Sequence, residues 1–431
     1  MTTISLRKFR TLATTYGAYA GSMFSRGLEL IGKLGLYMFG ARALGLHDSG
    51  YFFLCLTWIG LISTVARGGF DKAVLRHMAA ELAVGRGQEA RKALLAGSAI
   101  VVAGGTLATL ITVGLAEPLA VYLFHDPEVA HALRLSAYAI LPQTLCIFVG
   151  YALVGFHRGA AGQLVQNGIW PVLTLGALFT GANTLDSLLY ALAASLLAAT
   201  LIGLVMVVMD RHRFLVTPSP DAPADALPAL WRTAMPLSVV EVVQIFLNSL
   251  PVLLLAVFGQ PSAVGAFSVA NRISMLIWVV ANSIGTVAAP SFAARHRQGQ
   301  WDELRALNRR VRLAVALFGT PVVAAMVFFP KSILNLVAPG FEVAAPALMV
   351  MGLGQLVNCL LPCQDFMLSM TGYGSVHRWL NIAQLVVCSA LCASLIPFFG
   401  MMGAAIATAV FIAQGAIGTT LAVRHLMPKA W

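Results

Sequence analysis

Six ionisable side chains interrupt otherwise apolar runs of the sequence: Arg26, Glu29, Lys33, Glu241, Arg272 and Asp365. An ionised group at the centre of a bilayer costs about 2.5–3.5 kcal/mol on insertion scales, so such residues face a partner or a water-filled cavity. Arg26, Glu29 and Lys33 are spaced i, i+3 and i+7, which puts all three on one face of a helix. Glu29 precedes Lys33 by four residues, the favourable order for an ion pair. Two readings follow. The charges neutralise one another so that the helix inserts, or they form a polar stripe on a central cavity with Arg26 left for an anionic head group. Arginine suits the second role, because its planar fork grips phosphate oxygens in pairs and keeps its charge when desolvated.

Arg272 supplies a cation in the second half of the chain. Facing Arg26 and Lys33 across a cavity, it would help neutralise a pyrophosphate; near the end of its helix it would instead snorkel to the interface. Glu241 has Gln244 and Asn248 at i+3 and i+7, a stripe able to bind sugar hydroxyls or to hold helices together. Glu241 and Asp365 are each the single acid of their run. A carboxyl whose pKa is raised by burial can carry a coupling proton; sodium is the other candidate ion. The rival reading is charge pairing, for Asp365 with a base such as Arg378. The six cysteines, Cys55, Cys146, Cys359, Cys363, Cys388 and Cys392, include two i, i+4 pairs. They read as small apolar helix residues rather than as a metal site. No nucleophile–base set, phosphate-binding loop or dinucleotide fingerprint is present, so neither an enzyme nor a cofactor is expected, and no nucleic-acid partner.

The elements that carry these residues are long and apolar. Of 431 residues 59% are hydrophobic and 10% charged, with a mean hydropathy of +0.83. Soluble domains carry roughly 25% charged residues. A soluble enzyme, a disordered chain and a disulfide-stapled domain are therefore excluded. The reading is an all-α polytopic membrane protein with about twelve spans near 17–44, 50–67, 93–115, 132–155, 162–181, 186–209, 233–258, 264–290, 311–329, 343–370, 376–397 and 400–423. Residues 1–15, with Arg7, Lys8 and Arg10 among apolar side chains, read as an amphipathic interfacial segment. With both termini inside, only Arg42, Arg134 and Lys331 of the 28 Lys and Arg fall on the outer side, the asymmetry of cytoplasmic loops. The net charge of +11 is thus a topology signal and a face for anionic lipid. The short outer loops leave no room for the catalytic domain of a membrane glycosyl-lipid transferase or ligase. Pro142, Pro251, Pro321 and Pro362 fall inside spans, where each weakens its helix.

The chain also repeats itself at an offset of about 214 residues. ARALGLHDSGYF (41–52) resembles LAVFGQPSAVGAF (255–267), pairing Gly45 and Gly50 with Gly259 and Gly265. Gly87-Gln88 pairs with Gly299-Gln300, and Glu128-Val129-Ala130 with Glu342-Val343-Ala344. The expected organisation is a six-helix bundle over 1–210, a Pro-rich cytoplasmic linker over 211–232 and a second six-helix bundle over 233–431. Six helices return the chain to its starting side, so the repeats are parallel, and paired bundles of this kind are a transporter architecture.

Residues 26–45, followed by YFFLCLTWIGLISTVARGGFDKAVLRHMA, resemble the first two helices of the Wzx-type polysaccharide flippases. VGAFSVANRISMLIWVVANSIGTVAAPSFA (264–293) is similar to that family's eighth helix, with Phe267, Ser268, Ala270, Arg272 and Pro290 in its motif places. The wider superfamily contains multidrug (MATE) exporters and the peptidoglycan lipid flippase. The resemblance implies a MATE-like fold. It also implies transport of a polyprenyl-pyrophosphate-linked oligosaccharide between the leaflets of a bacterial inner membrane, for O-antigen or exopolysaccharide synthesis. Glycosyltransferases and a polysaccharide polymerase are its implied partners. A drug/cation antiporter of the same superfamily is the main alternative, and the basic residues within the spans argue against it.

Overall fold

In lipid every backbone N–H and C=O must be satisfied within its own segment, so long apolar runs become helices. The computed structural model describes residues 2–215 and 228–431, with side chains for all of these except 2–20, 22–23, 286–287 and 290. The first helices are α1 (Thr2–Arg67), α2 (Phe70–Ala83), α3 (Gly87–Pro118), α4 (Glu128–Gly155), α5 (Gly159–Gln163), α6 (Ile169–Phe179), α7 (Leu185–Met209) and α8 (Leu230–Phe258). They are followed by α9 (Pro261–Ser274), α10 (Leu276–Arg297), α11 (Trp301–Phe328), α12 (Pro330–Val337), α13 (Ala345–Leu360), α14 (Gln364–Met370), α15 (Gly374–Phe399) and α16 (Met401–Leu426). No strand occurs among the described residues.

Among the described residues ten helices are long and apolar enough to cross a membrane, against about twelve expected. Two differences produce the lower count. The first two expected spans are two helices that meet end to end within α1 and so count as one, the join being Gly45, whose non-helical φ of 72° and ψ of −173° suit glycine alone. The fifth expected span is divided into α5, a π-helical turn over Leu164–Gly168, and α6. The expected span 343–370 is likewise broken. Its helix stops at Leu360, Cys363 takes a left-handed φ of 61°, and α14 begins after it. Pro362 causes the break, having no N–H to donate and clashing with the preceding turn. Pro142, Pro251 and Pro321 stay within α4, α8 and α11, which continue past them. Residues 2–15 are helical as part of α1, and the amphipathic face expected there rests on side chains outside the described ones. Most of the Pro-rich segment 211–232, including Pro218, Pro220 and Pro223, also lies outside the described residues.

The chain forms two compact units, residues 1–43 with 58–242 and residues 44–57 with 243–431. The division thus departs from a cut at the Pro-rich segment: the stretch after the Gly45 bend belongs with the second unit, and the start of α8 with the first. In the first unit α4 packs against α3 and α7, and α2 lies on α3 and α4. Val74, Met78, Phe148, Val149, Phe156 and Phe214 fill the core where these helices meet. In the second unit α13 packs against α11 and α16, α15 against α16, and α9 against α13. Leu107, Leu110, Leu201, Val205, Leu317 and Phe318 are exposed on the helix exteriors, the apolar surface that a bilayer covers.

Two glycines of the repeat meet inside the second unit. A Cβ on Gly50 would collide with the Pro261 carbonyl, and one on Gly265 would come within 2.6 Å of Leu46 O and Ser49 Oγ. The bent helix and α9 therefore cross backbone to backbone, the approach that small residues permit in membranes. Gly50→Ala is expected to destabilise the protein by about 1–3 kcal/mol through overpacking. Thermal unfolding in detergent measures this, and an unchanged midpoint would refute the close crossing.

A second repeated feature is a turn, and it corrects the alignment by two residues. Gly85 and Gly299 both have positive φ, 78° and 69°. The following residue reaches back in the same way, Arg86 N to Glu81 O at 2.8 Å and Gln300 N to Arg295 O at 3.0 Å. α3 and α11 then begin at Gly87 and Trp301. Gly299 therefore matches Gly85, at the main repeat offset, rather than Gly87.

Candidate functional site

The first-helix charges are brought against the interrupted fifth span. Lys33 Nζ lies 2.8 Å from Glu29 Oε1, the pair that the i, i+4 spacing anticipates. The same ammonium donates to Asn167 Oδ1 at 2.9 Å and stands 6.0 Å from the centre of the Trp170 ring. Gln163 Nε2 donates to Glu29 Oε2 at 3.5 Å. Asn167 lies in the π-helical turn and Gln163 just before it. Such turns interrupt the α-helical ladder and recur at functional sites. Close packing brings the two elements together: a Cβ on Gly32 would lie 2.9 Å from Val172, and one on Gly35 would lie 2.7 Å from Leu175. Ser25 Oγ ties the same helices by donating to Ala160 O at 3.0 Å.

Arg26 stands apart from this pair. It is exposed, and no partner is found for it among the described residues. Because Glu29 and Lys33 neutralise each other, the net charge of the cluster is the guanidinium of Arg26. Beside it the cluster presents a carboxylate, an ammonium and two side-chain amides, a mixture of donors and acceptors suited to hydroxyl-rich ligands. Gln163 and Asn167 are absent from the sequence-derived set. Their signal was three polar residues, Gln163, Gln166 and Asn167, within five positions of an apolar run.

Glu241 is an ion-pair partner. Its Oε1 lies 2.7 Å from Lys72 Nζ of α2, while its Oε2 is buried without a hydrogen bond. Burial pulls the Lys72 ammonium down, but the Glu241 carboxylate beside it more than compensates and holds its pKa above the ordinary 10.5. The contribution of the Lys72 ammonium to stability is therefore fully present below 10.5 and is lost as pH rises through the raised value. Next to it, Arg67 at the end of α1 donates from Nε to Asp71 Oδ2 at 2.8 Å and from its Nη atoms to Ser63 and Thr64. Arg67 is 4% exposed and Asp71 0%. Gly69, with φ 74°, closes the turn between them so tightly that a Cβ would lie 2.5 Å from Ala234 O and 2.7 Å from Ser238 N of α8.

The other anticipated residues belong to the second unit. Arg272 is half-buried on α9 beside buried Asn271 and Ser274, and Ser274 Oγ accepts from Gln355 Nε2 at 3.4 Å. Gln244 and Asn248 are exposed on α8, and Asn248 Nδ2 donates to Gln244 O at 2.8 Å. Asp365 lies on α14, and His377 of α15 meets Asn381 Nδ2 through Nε2 at 3.2 Å. No ion pair joins Asp365 to Arg378 among the described residues. Cys146 and Cys363 donate from their thiols to Val165 O and Ala281 O. Among the described residues no three His, Cys, Asp or Glu side chains are grouped to hold a metal ion.

The polysaccharide biosynthesis protein family matches residues 22–296, and the MatE family matches residues 236–395. A probable flippase, AglR of Haloferax volcanii, is 29% identical over 186 residues, which is 42% of this chain and 38% of the relative. The matched region thus spans well under half the length of that relative. Among solved structures, an inward-facing multidrug resistance MATE family transporter of the MOP superfamily superposes with a TM-score of 0.73 at 14% identity, covering 95% of this chain and 98% of that one. The lipid II flippase MurJ, in an inward closed conformation, gives a TM-score of 0.68 at 14% identity, covering 94% and 87%. The fold is that of these transporters.

Proposed function

Since the chain belongs to the polysaccharide biosynthesis protein family, we propose that it is a lipid-linked oligosaccharide flippase of the multidrug/oligosaccharidyl-lipid/polysaccharide superfamily. It is a multi-pass membrane transport protein and not an enzyme. The proposed substrate is an oligosaccharide on a polyprenyl pyrophosphate. It is moved from the cytoplasmic to the periplasmic leaflet of a bacterial inner membrane by alternating access of two six-helix bundles, with both termini inside. Surface polysaccharide, O-antigen or exopolysaccharide, is the product served, with glycosyltransferases and a polymerase acting before and after.

The observation that carries this reading is the guanidinium of Arg26, unpaired among the described residues, beside the Glu29–Lys33–Asn167–Gln163 cluster. A cation for the pyrophosphate and neutral donors and acceptors for sugar hydroxyls stand on adjoining turns. Arg272, Gln244 and Asn248 are the proposed contacts from the second unit. The MatE match over 236–395 favours a second reading, a drug/cation antiporter. That function needs free intramembrane carboxylates, and in the first unit Glu29 and Glu241 are both paired with lysines. Glu241 and Asp365 remain the candidates for ion coupling. Reconstituted vesicles carrying a fluorescent polyprenyl-pyrophosphate oligosaccharide test the proposal. Protein-dependent access of the sugar to an impermeant quencher is expected. Efflux of cationic dyes with no movement of the lipid-linked sugar would replace this reading by the second.

A further inference from the structure

The intramembrane acids Glu29 and Glu241 of the first unit are paired with lysines, whereas one end of the second unit carries cations paired with no Asp or Glu among the described residues. Arg305, Arg309, Arg310 and Arg312 of α11, Arg424 of α16 and Lys429 have no ion-pair partner among the described residues. Two of them are held in place. Arg312 Cζ is 4.2 Å and Arg424 Cζ 4.3 Å from the centre of the Trp431 ring. A buried network seats that ring. Ala430 is buried, and its carbonyl accepts from Asn308 Nδ2 at 3.3 Å. Asn308, itself buried, accepts through Oδ1 from Gln364 Nε2 at 2.9 Å. Met427 and Ala430 share a core with Leu304, Val311 and Val423, and Trp431 packs on it.

Like charges gathered on one indole repel each other. Attraction to the ring offsets part of that repulsion but supplies no counter-charge. The surface beyond the cations is apolar and follows helical spacing. On α11 Arg309 is followed by exposed Leu313 and Leu317 at i+4 and i+8, and on α16 Arg424 is preceded by exposed Leu421 and Ile417 at i−3 and i−7. α16 thus runs from a cation of the cluster into an outward apolar stripe, with an indole at the junction, the depth at which tryptophan sits in membranes, and the α11 stripe starts from Arg309, one turn before Arg312. We propose that Arg312, Arg424 and Trp431 form a binding site for the head group of an anionic glycerophospholipid of the surrounding bilayer. The guanidiniums grip its phosphate and the acyl chains lie along the apolar stripe of Leu421 and Ile417 that continues from Arg424. The site lies wholly within the second unit and shares no residue with the proposed substrate contacts.

Native mass spectrometry of the full-length protein released from detergent, with added phosphatidylglycerol or phosphatidylcholine, tests the site. Phosphatidylglycerol is expected to be retained preferentially. Each basic charge near the surface is worth about fivefold in affinity, so Arg312→Gln with Arg424→Gln should weaken retention about 25-fold. Arg424→Gln alone, at an exposed position, should weaken it about fivefold and serves if the double variant does not fold. Trp431→Ala should weaken it with both cations present, and Arg211→Gln, in the first unit, should leave it unchanged. Equal retention of the two lipids, or of phosphatidylglycerol by wild type and the double variant, would overturn the proposal. So would displacement of the lipid by millimolar inorganic phosphate, which would identify a soluble-anion site instead.

Discussion

Asp71→Ala is expected to destabilise the protein by about 3–5 kcal/mol, because removing one member of a buried ion pair leaves the other charge uncompensated. Arg67 would be that charge. It is almost wholly inaccessible, and Ser63 and Thr64 offer it neutral acceptors only. Asp71 also accepts from the backbone N–H of Lys72 at 2.8 Å in the first turn of α2, where a negative charge favours the helix. Replacing both partners together, Arg67→Met with Asp71→Leu, is expected to cost far less, since no charge is then stranded. Thermal unfolding of the purified variants in one detergent compares the two cases. If the single variant melts with wild type, Arg67 is solvated in a way that its burial does not allow.

Arg26→Ala is expected to act on transport and leave folding intact. The side chain is exposed, so its loss should change stability by no more than about 0.5 kcal/mol. A charge-assisted hydrogen bond to a phosphate is worth about 1.5–3 kcal/mol, so the rate of lipid-linked oligosaccharide movement should fall about 10- to 100-fold. Arg26→Lys keeps the charge but loses the bidentate fork and should fall between the two. Wild-type flipping by the alanine variant, at matched reconstitution, would remove Arg26 from the head-group site.

Much of this was legible in the sequence, and the reasons differ from residue to residue. Glu29 and Lys33 could be paired on paper because the contact is local, one helical turn apart, and the spacing alone sets the geometry. Gly50 and Gly265 were legible as repeat partners, but their meeting within one unit was not, since an internal match carries no information on which copies touch. The break between the first two spans was legible, but that it is a kink at the single residue Gly45 was not, because glycine suits a loop and a kink equally. Pro362 broke its span while Pro142, Pro251 and Pro321 did not, although the four residues are chemically identical. Thr200 Oγ1 donates to the carbonyl of Pro142 at 3.1 Å, one of the neighbouring contacts that sustains a proline-containing helix.

The sequence by itself determined that the chain is a bundle of apolar helices, and which ionisable groups are costly enough to need a partner. Both follow from lipid as a solvent, which acts on composition and on spacing within a segment. The tertiary structure alone decided which partner each charge has. Glu241, the single acid of its run, is met by Lys72 of another helix, and the ammonium of Lys33 is completed by Asn167 across the interrupted fifth span. Arg26, on the same face as Lys33, receives no partner among the described residues. The physical reason is that helices in a bilayer choose neighbours by close packing of small residues and by satisfying polar groups across the bundle, so the outcome depends on faces from distant parts of the chain at once.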